Sequence, residues 1–236
     1  MNDSYKIKAD ILTDALPYMQ DFEGKIMVIQ YSCNNYASPE QEKRIMQDIS
    51  LLHFLGVHPV VVHSNKSGVD IFRENKRIAA LLETNNLKAI GICGIDLQTI
   101  RILIDNQYIP VVIPNDIQTE SENIFVEDTA REIAVKLKAD KLIFMSKDKG
   151  LFDDNGQMLP IMSLATLIEY NKYHEQIGYL NLKVQNAIKA INGGVHRVHI
   201  IDGLMEHSIL LELFSIEGIG TAILDSLDNL YKHEQQ

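Results

Sequence analysis

Apolar positions recur along this chain in two alternating rhythms. Over residues 7–20, Ile7, Ile11, Leu12, Ala15, Leu16 and Met19 fall on one helical stripe. Residues 25–31, apolar without a break from Ile26 to Ile29, then read as a strand. Ser38 offers an N-cap with Pro39 at the first helical position. Ile45, Ile49, Leu52 and Leu55 line the inner face of that helix, which Gly56 should stop. The exchange of periods repeats: strand over 58–63, helix near 69–84, strand over 88–93, helix near 96–106, strand over 108–113, helix near 128–138, strand over 141–145.

These apolar runs are short and do not alternate with polar residues, as suits strands buried on both faces of a parallel sheet. Strand and helix in turn imply right-handed crossovers, hence an α/β three-layer αβα sandwich around a mainly parallel central sheet. The second half is mixed. Asn155-Gly156 between apolar arms predicts a hairpin over 151–159. Helices follow near 163–175 and 181–192, the second closed by Gly193-Gly194. A strand over 195–201, a helix over 206–215 and a short strand over 220–223 complete the pattern, with a tail over 225–236 that frays from Lys232.

Composition narrows the class without changing this picture. With 46% hydrophobic and 23% charged residues among 236, the chain has material for a substantial core and is not disordered. Twenty-two basic against 32 acidic residues give a net charge of −10. Phosphate backbones and anionic membranes repel such a chain unless its cations gather on one face, so neither nucleic acid nor a membrane is expected as partner. Cys33 and Cys93 lack zinc-finger spacing and fit a reducing cytoplasm, each as a small buried hydrophobe. The N-terminus has no basic start followed by an apolar core and does not read as a signal peptide.

Several segments, in the same order from about residue 8 to 224, resemble the N-acetylglutamate kinases. They are Ala15-Leu16-Pro17-Tyr18, Gly56 to His63, Lys138 to Ile143, Val195-His196-Arg197-Val198-His199-Ile200-Ile201-Asp202-Gly203, His207 to Phe214 and Glu217-Gly218-Ile219-Gly220-Thr221. The resemblance implies one amino acid kinase-like domain over 1–236. It has an N-terminal helix (1–22), an acceptor-type lobe (23–120) and a nucleotide-type lobe (121–224) ahead of the tail. It further implies MgATP-dependent phosphorylation of a carboxylate. Two lysines bracket the moving phosphoryl group, glycine-rich turns approach the phosphates and an aspartate orients the lysines.

The motifs themselves depart from that pattern. The family's Lys-Tyr-Gly-Gly-Asn reads Gln30-Tyr31-Ser32-Cys33-Asn34 here, so the first lysine is a neutral amide. Its His-Gly-Gly-Gly-Pro reads His63-Ser64-Asn65-Lys66-Ser67, leaving Lys66 as a candidate replacement cation or a solvated loop lysine. Its Asn-Ile-Asn-Ala-Asp-Thr reads Ile124-Phe125-Val126-Glu127-Asp128-Thr129, keeping only Asp128, which an N-cap or first-turn acid also explains. The nucleotide side reads Ser146-Lys147-Asp148-Lys149-Gly150 and Gly178-Tyr179-Leu180-Asn181-Leu182-Lys183. Lys183 stands where the second lysine belongs, or is a surface lysine on the first turn of its helix. The family's Gly-x-Arg-Val-Thr lid segment has no counterpart between His63 and Ile92, where Arg73 and Arg77 read as helical surface.

The resemblance therefore yields Lys183, Asp128 and Lys66 as catalytic candidates, and Ser146, Gly150, Gly178 and Lys183 as nucleotide contacts. His207 and Glu217 match the arginine feedback site, or simply hold the last helix and strand. No metal-ligand cluster is expected, and MgATP is the cofactor only if the nucleotide site is retained. The implied partners are a small molecule (ATP, an acyl amino acid or arginine) and a second copy of the chain, with a hexamer or a mixed assembly with a competent kinase left open. Two functions follow: a regulatory or arginine-sensing protein with phosphoryl transfer lost or strongly reduced, or an active kinase for acetylglutamate or a more apolar acyl amino acid.

Overall fold

The computed structural model describes residues 13, 15–32, 37–64, 66, 68–83, 87–114, 126–174, 178–215 and 218–228. The chain is helical over 15–22 and then enters β1 (Ile26–Tyr31). α1 (Pro39–Phe54) starts where the sequence places it. Ser38 Oγ accepts from the Gln41 amide at 3.2 Å while Gln41 Oε1 accepts from the Ser38 amide at 2.9 Å, a reciprocal cap. Gly56, at φ +88°, turns the chain into β2 (His58–His63).

α2 (Ile71–Leu82), β3 (Lys88–Cys93), α3 (Leu97–Asp105), β4 (Tyr108–Ile113), α4 (Val126–Leu137) and β5 (Lys141–Ser146) follow, with Asp70 and Asp96 capping α2 and α3. After them come β6 (Ile161–Ser163), α5 (Leu164–Tyr173), α6 (Tyr179–Asn192), β7 (Arg197–Asp202), α7 (Ser208–Phe214) and β8 (Thr221–Leu224). They form one sheet in the order β3-β4-β2-β1-β5-β7-β8-β6, parallel except where β8 runs antiparallel to β7.

Period-two alternation splits the sheet's side chains between two layers. Val28, Val60, Val62, Leu142 and Phe144 point into a core closed by α3, α4 and α6. Met27, Ile29, Tyr31, Val61 and Ile143 point into a second core closed by α1, α2, α7 and helix 15–22, where Tyr18 and Phe22 pack edge-on to Phe214. The three-layer αβα sandwich is thus the observed architecture.

Local departures have physical causes. The 151–159 hairpin reduces to a single antiparallel bridge, Phe152 to Met158. Asp153 Oδ1 takes the amides of Asn155 and Gln157 at 2.9 and 2.8 Å, and only Gly156 of the turn has positive φ. A two-residue Asn-Gly turn needs positive φ at both residues. β6 is too short to carry a pattern. β3 forms the sheet edge, and Cys93 on it is exposed rather than buried; Cys33 lies outside the described residues. No helix among the described residues is long and apolar enough to cross a membrane.

Candidate active site

In an open α/β sheet, ligands bind outside the carboxyl ends of the strands where the strand order reverses. Here the chain builds outward on one side of β1 through β2, β3 and β4, then crosses to β5 on the other side. The reversal lies between β1 and β5, whose ends are tied by the Ser32 amide donating to the Met145 carbonyl at 2.9 Å.

Gln30 is the penultimate residue of β1. It shares parity with Val28 and so points into the layer of α4 and α6. Its side chain is fully buried. Its amide nitrogen donates to Ser32 Oγ, while its Oε1 has no hydrogen-bond partner among the described residues. α4 begins at the same end of the layer. Glu127 on its first turn is 2% exposed, and its Oε2 likewise has no partner among the described residues. Burial pushes the Glu127 carboxyl above its ordinary value; its own backbone N–H and the Lys183 charge oppose that, while Asp128 and Asp148 add to it.

Lys183 is the fifth residue of α6 and 1% exposed, so it is neither a surface lysine nor on the first turn. Its Nζ donates to Asp148 Oδ2 at 2.7 Å. Asp148 lies in the loop after β5, inside a motif whose sequence did not single it out. Asp128, third residue of α4, is half-exposed and faces Arg131 of its own helix at 3.8 Å. The Arg131 side chain in turn donates to Asn186 of α6 at 2.8 Å. Asp128, Glu127, Asp148 and Lys183 therefore share one electrostatic neighbourhood, but the ion pair to the lysine is made by Asp148.

The remaining candidates are dispersed. Lys66 follows β2 and is felt by Glu74 of α2, on the other layer. Ser146 closes β5 opposite Asp202. Gly150, at φ +121°, presses on β8, where an added Cβ would meet Thr221 Oγ1 at 2.8 Å; that packing alone requires a glycine. Gly178, at φ +67°, begins α6 with open space beside it. Asn34, Asn65, Ser67, Ile124 and Glu217 lie outside the described residues. His207, in the left-handed region at φ +57°, precedes α7 and approaches Asp48 Oδ1 of α1 at 2.9 Å.

Two further polar clusters were not legible. Arg77 is not plain helical surface: it bridges Glu74 at 2.7 Å and Glu42 at 2.6 Å, two buried carboxylates that hold its guanidinium charged, and Glu42 also accepts from Tyr31 Oη. At the far corner, Glu212 of α7 accepts from His199 Nδ1 at 2.7 Å and from the amides of Ile219 and Gly220 at 2.8 and 3.0 Å. A Cβ on Gly220 would lie 2.3 Å from the Ile200 carbonyl oxygen.

Among the described residues, then, Lys183 is ion-paired by Asp148, Gln30 presents a neutral amide where the resembled motif has a lysine, and Glu127 is a buried carboxyl felt by Lys183. Among the described residues no group of acids, histidines and cysteines has the arrangement of a metal site.

Comparison with known proteins places this architecture. The profile of the Amino acid kinase family matches residues 69–202, more than half of the chain. The acetylglutamate kinase of Syntrophomonas wolfei is 33% identical over 92% of this chain and 97% of its own length. That alignment runs over 279 positions, more than the 236 residues of this chain, so the relative carries material with no counterpart here. Among solved structures, N-acetylglutamate synthase from Neisseria gonorrhoeae, complexed with coenzyme A and N-acetylglutamate, superimposes with a TM-score of 0.78 at 20% identity, over 92% of this chain. The match spans only 63% of the synthase. Giardia carbamate kinase gives 0.68 at 14% identity, covering 86% of this chain and 99% of that one. The chain belongs to the amino acid kinase family, in its N-acetylglutamate kinase branch.

Proposed function

We propose that this protein is an acetylglutamate kinase-like member of the arginine-biosynthesis type that has lost, or nearly lost, phosphoryl transfer and acts as a regulatory or arginine-sensing subunit. The observation that carries the reading is the state of the phosphoryl clamp: Gln30 for one lysine, and the other, Lys183, held by Asp148 beside the buried Glu127. Removing one such transition-state donor costs about 10²–10³ in rate, and here the opposing acid adds to the loss. The acceptor-type lobe, 23–120, is read as shortened and without its lid, which leaves water poorly excluded and an acceptor poorly oriented. The long alignment to the Syntrophomonas kinase supports that reading. His207 and Glu217 are the effector residues it calls for. The assembly it would regulate is a homodimer, a hexamer or a mixed oligomer with a competent kinase.

One observation favours a second reading. Lys183 is buried and fixed at the carboxyl end of the sheet, as a phosphate-contacting lysine would be. In that reading the protein is an ATP-dependent kinase for N-acetylglutamate or a more apolar acyl amino acid, with Lys183, Asp128 and Lys66 at work and Ser146, Gly150 and Gly178 on the nucleotide.

The test is steady-state ADP release with MgATP and N-acetylglutamate, alongside thermal unfolding with MgATP and with L-arginine. We expect no turnover above background and a midpoint raised by L-arginine but not by MgATP. A turnover within tenfold of an ordinary enzyme's ~10 s⁻¹ would reject the first reading.

A further inference from the structure

The conformation of His207 is not explained by its neighbours in sequence. It immediately precedes α7, with its backbone in the left-handed region at φ +57°, where few non-glycine residues go. A side chain at a helix start ordinarily accepts from the first amides of its helix. That of His207 makes no such bond and reaches across to α1 instead, its Nδ1 lying 2.9 Å from Asp48 Oδ1. Strained backbone persists only where the surroundings over-determine it. Here Gln41 Nε2 donates to the Leu204 carbonyl at 3.2 Å and Arg44 pairs with Glu206, so Gln41, Arg44 and Asp48, on successive turns of α1, together hold the 204–207 turn.

The two partners differ in exposure. The Asp48 side chain is 7% exposed and that of His207 56%. Burial raises the Asp48 carboxyl, and the bond to His207 and its charge pull it back down. In ordinary values an imidazole is the stronger base of such a pair by about 2.5 pH units, so the shared proton sits on Nδ1 and Asp48 accepts it. A carboxylate that takes the proton of one ring nitrogen fixes both the tautomer and the orientation of the ring. The other nitrogen, Nε2, has no hydrogen-bond partner among the described residues, and in a neutral ring of this tautomer it is an acceptor. Asp48 is too buried to meet a ligand itself; it acts on one only through what His207 presents.

We propose that Asp48 is the positioning residue for His207: its buried carboxylate locks the imidazole in the Nδ1–H form and leaves Nε2 at the surface as an acceptor for a ligand bearing N–H donors, the guanidinium or ammonium group of L-arginine. This rests on the effector reading of His207 given above. It adds the residue that prepares the ring and the polarity the ring offers. Arg44 and Glu206, the charged groups beside the pair, satisfy each other and leave the orientation of His207 to Asp48.

Nitrogen NMR of the full-length protein at about pH 8.5, where an ordinary imidazole is neutral, reads the tautomer directly, with His207→Gln identifying the signal. We expect the Nδ1–H form in the native protein. Asp48→Asn, whose amide oxygen still accepts, should keep it, and Asp48→Ala should lose it; amide spectra check that both variants are folded. Calorimetric titration with L-arginine reads the consequence. Its Kd should rise by about tenfold or more in Asp48→Ala, the scale on which such supporting partners act, and clearly less in Asp48→Asn. An Nε2–H ring in the native protein, arginine bound by Asp48→Ala as tightly as by the native protein, or equal weakening in both Asp48 variants would overturn the proposal. Absence of L-arginine binding to the native protein would reject the effector reading and the proposal together, so the two failures are told apart.

Discussion

Glu212 and Glu127 are both buried glutamates near the start or end of a helix in the same sheet sandwich, and the protein treats them oppositely. Glu212 collects three donors, from His199 and the amides of Ile219 and Gly220, and these hold its carboxyl below the ordinary range against the cost of burial. Glu127 has an oxygen without a partner among the described residues, and burial holds its carboxyl above that range. The first ties α7 to the 218–220 turn and needs nothing from outside, although His199 Nε2 lacks a partner among the described residues. The second is costly to ionise, so it holds its proton more tightly instead. Two buried carboxyls thus differ in charge preference because one has a full set of donors and the other does not.

The glycine turns divide along the same line. At the far corner the 218–220 turn keeps its glycines because there is no room for anything else. Gly220→Ala is the harshest test: its Cβ would meet a backbone oxygen that no rotamer can move, so unfolding should be easier by about 3 kcal/mol or more, roughly 10 °C in the midpoint. An unchanged midpoint would mean the corner is looser than its contacts imply.

Acid should reveal the corner next. Burial lowers the proton affinity of His199, and of His63 beside Asn75, while donors lower that of Glu212. The histidines bind protons more readily when unfolded, so their contribution is complete above about pH 6.5 and shrinks as pH falls below it. Glu212 contributes above its unfolded value of 4.5 and adds its loss further down. Urea midpoints should drop steadily from pH 7 to 5, and His199→Gln should flatten part of that slope.

The smallest effect belongs to Glu127 and has the opposite sign. An acid whose folded form holds its proton more tightly is most favourable to folding at low pH and loses that advantage as pH rises. Glu127→Gln should stabilise the protein at pH 7–8 by about 1 kcal/mol, a few degrees, and the gain should vanish below about pH 4.5. Stabilisation that persists at pH 4 would show that packing, not charge, sets the cost.

Much of the fold was legible. Ser38-Pro39 announces a helix start because a hydroxyl satisfies an orphan amide and proline lacks one to lose. Uninterrupted apolar runs such as Pro59 to Val62 identify strands covered on both faces. What escaped were features made by distant segments. Nothing adjacent in sequence says that Arg77 lies between Glu42 and Glu74, or that Lys183, 35 residues beyond Asp148, is buried against it. Asp128 and Lys183, both catalytic candidates from the sequence, share a neighbourhood, but the ion pair to Lys183 is made by Asp148. The Asn155-Gly156 turn was overestimated because Asp153, two residues earlier, captures the loop amides first.

By itself, the sequence determined the order of elements, the α/β layering and the family, together with the loss of charge at Gln30, because local periodicity and residue identity are properties of neighbours along the chain. Only the tertiary structure decided which charges meet. It brought Lys183 to Asp148 and Glu212 to His199, and it left Gln30 and Glu127 each with an oxygen bare. Burial and pairing depend on which segments the sheet order brings together, and the strand order reverses between β1 and β5.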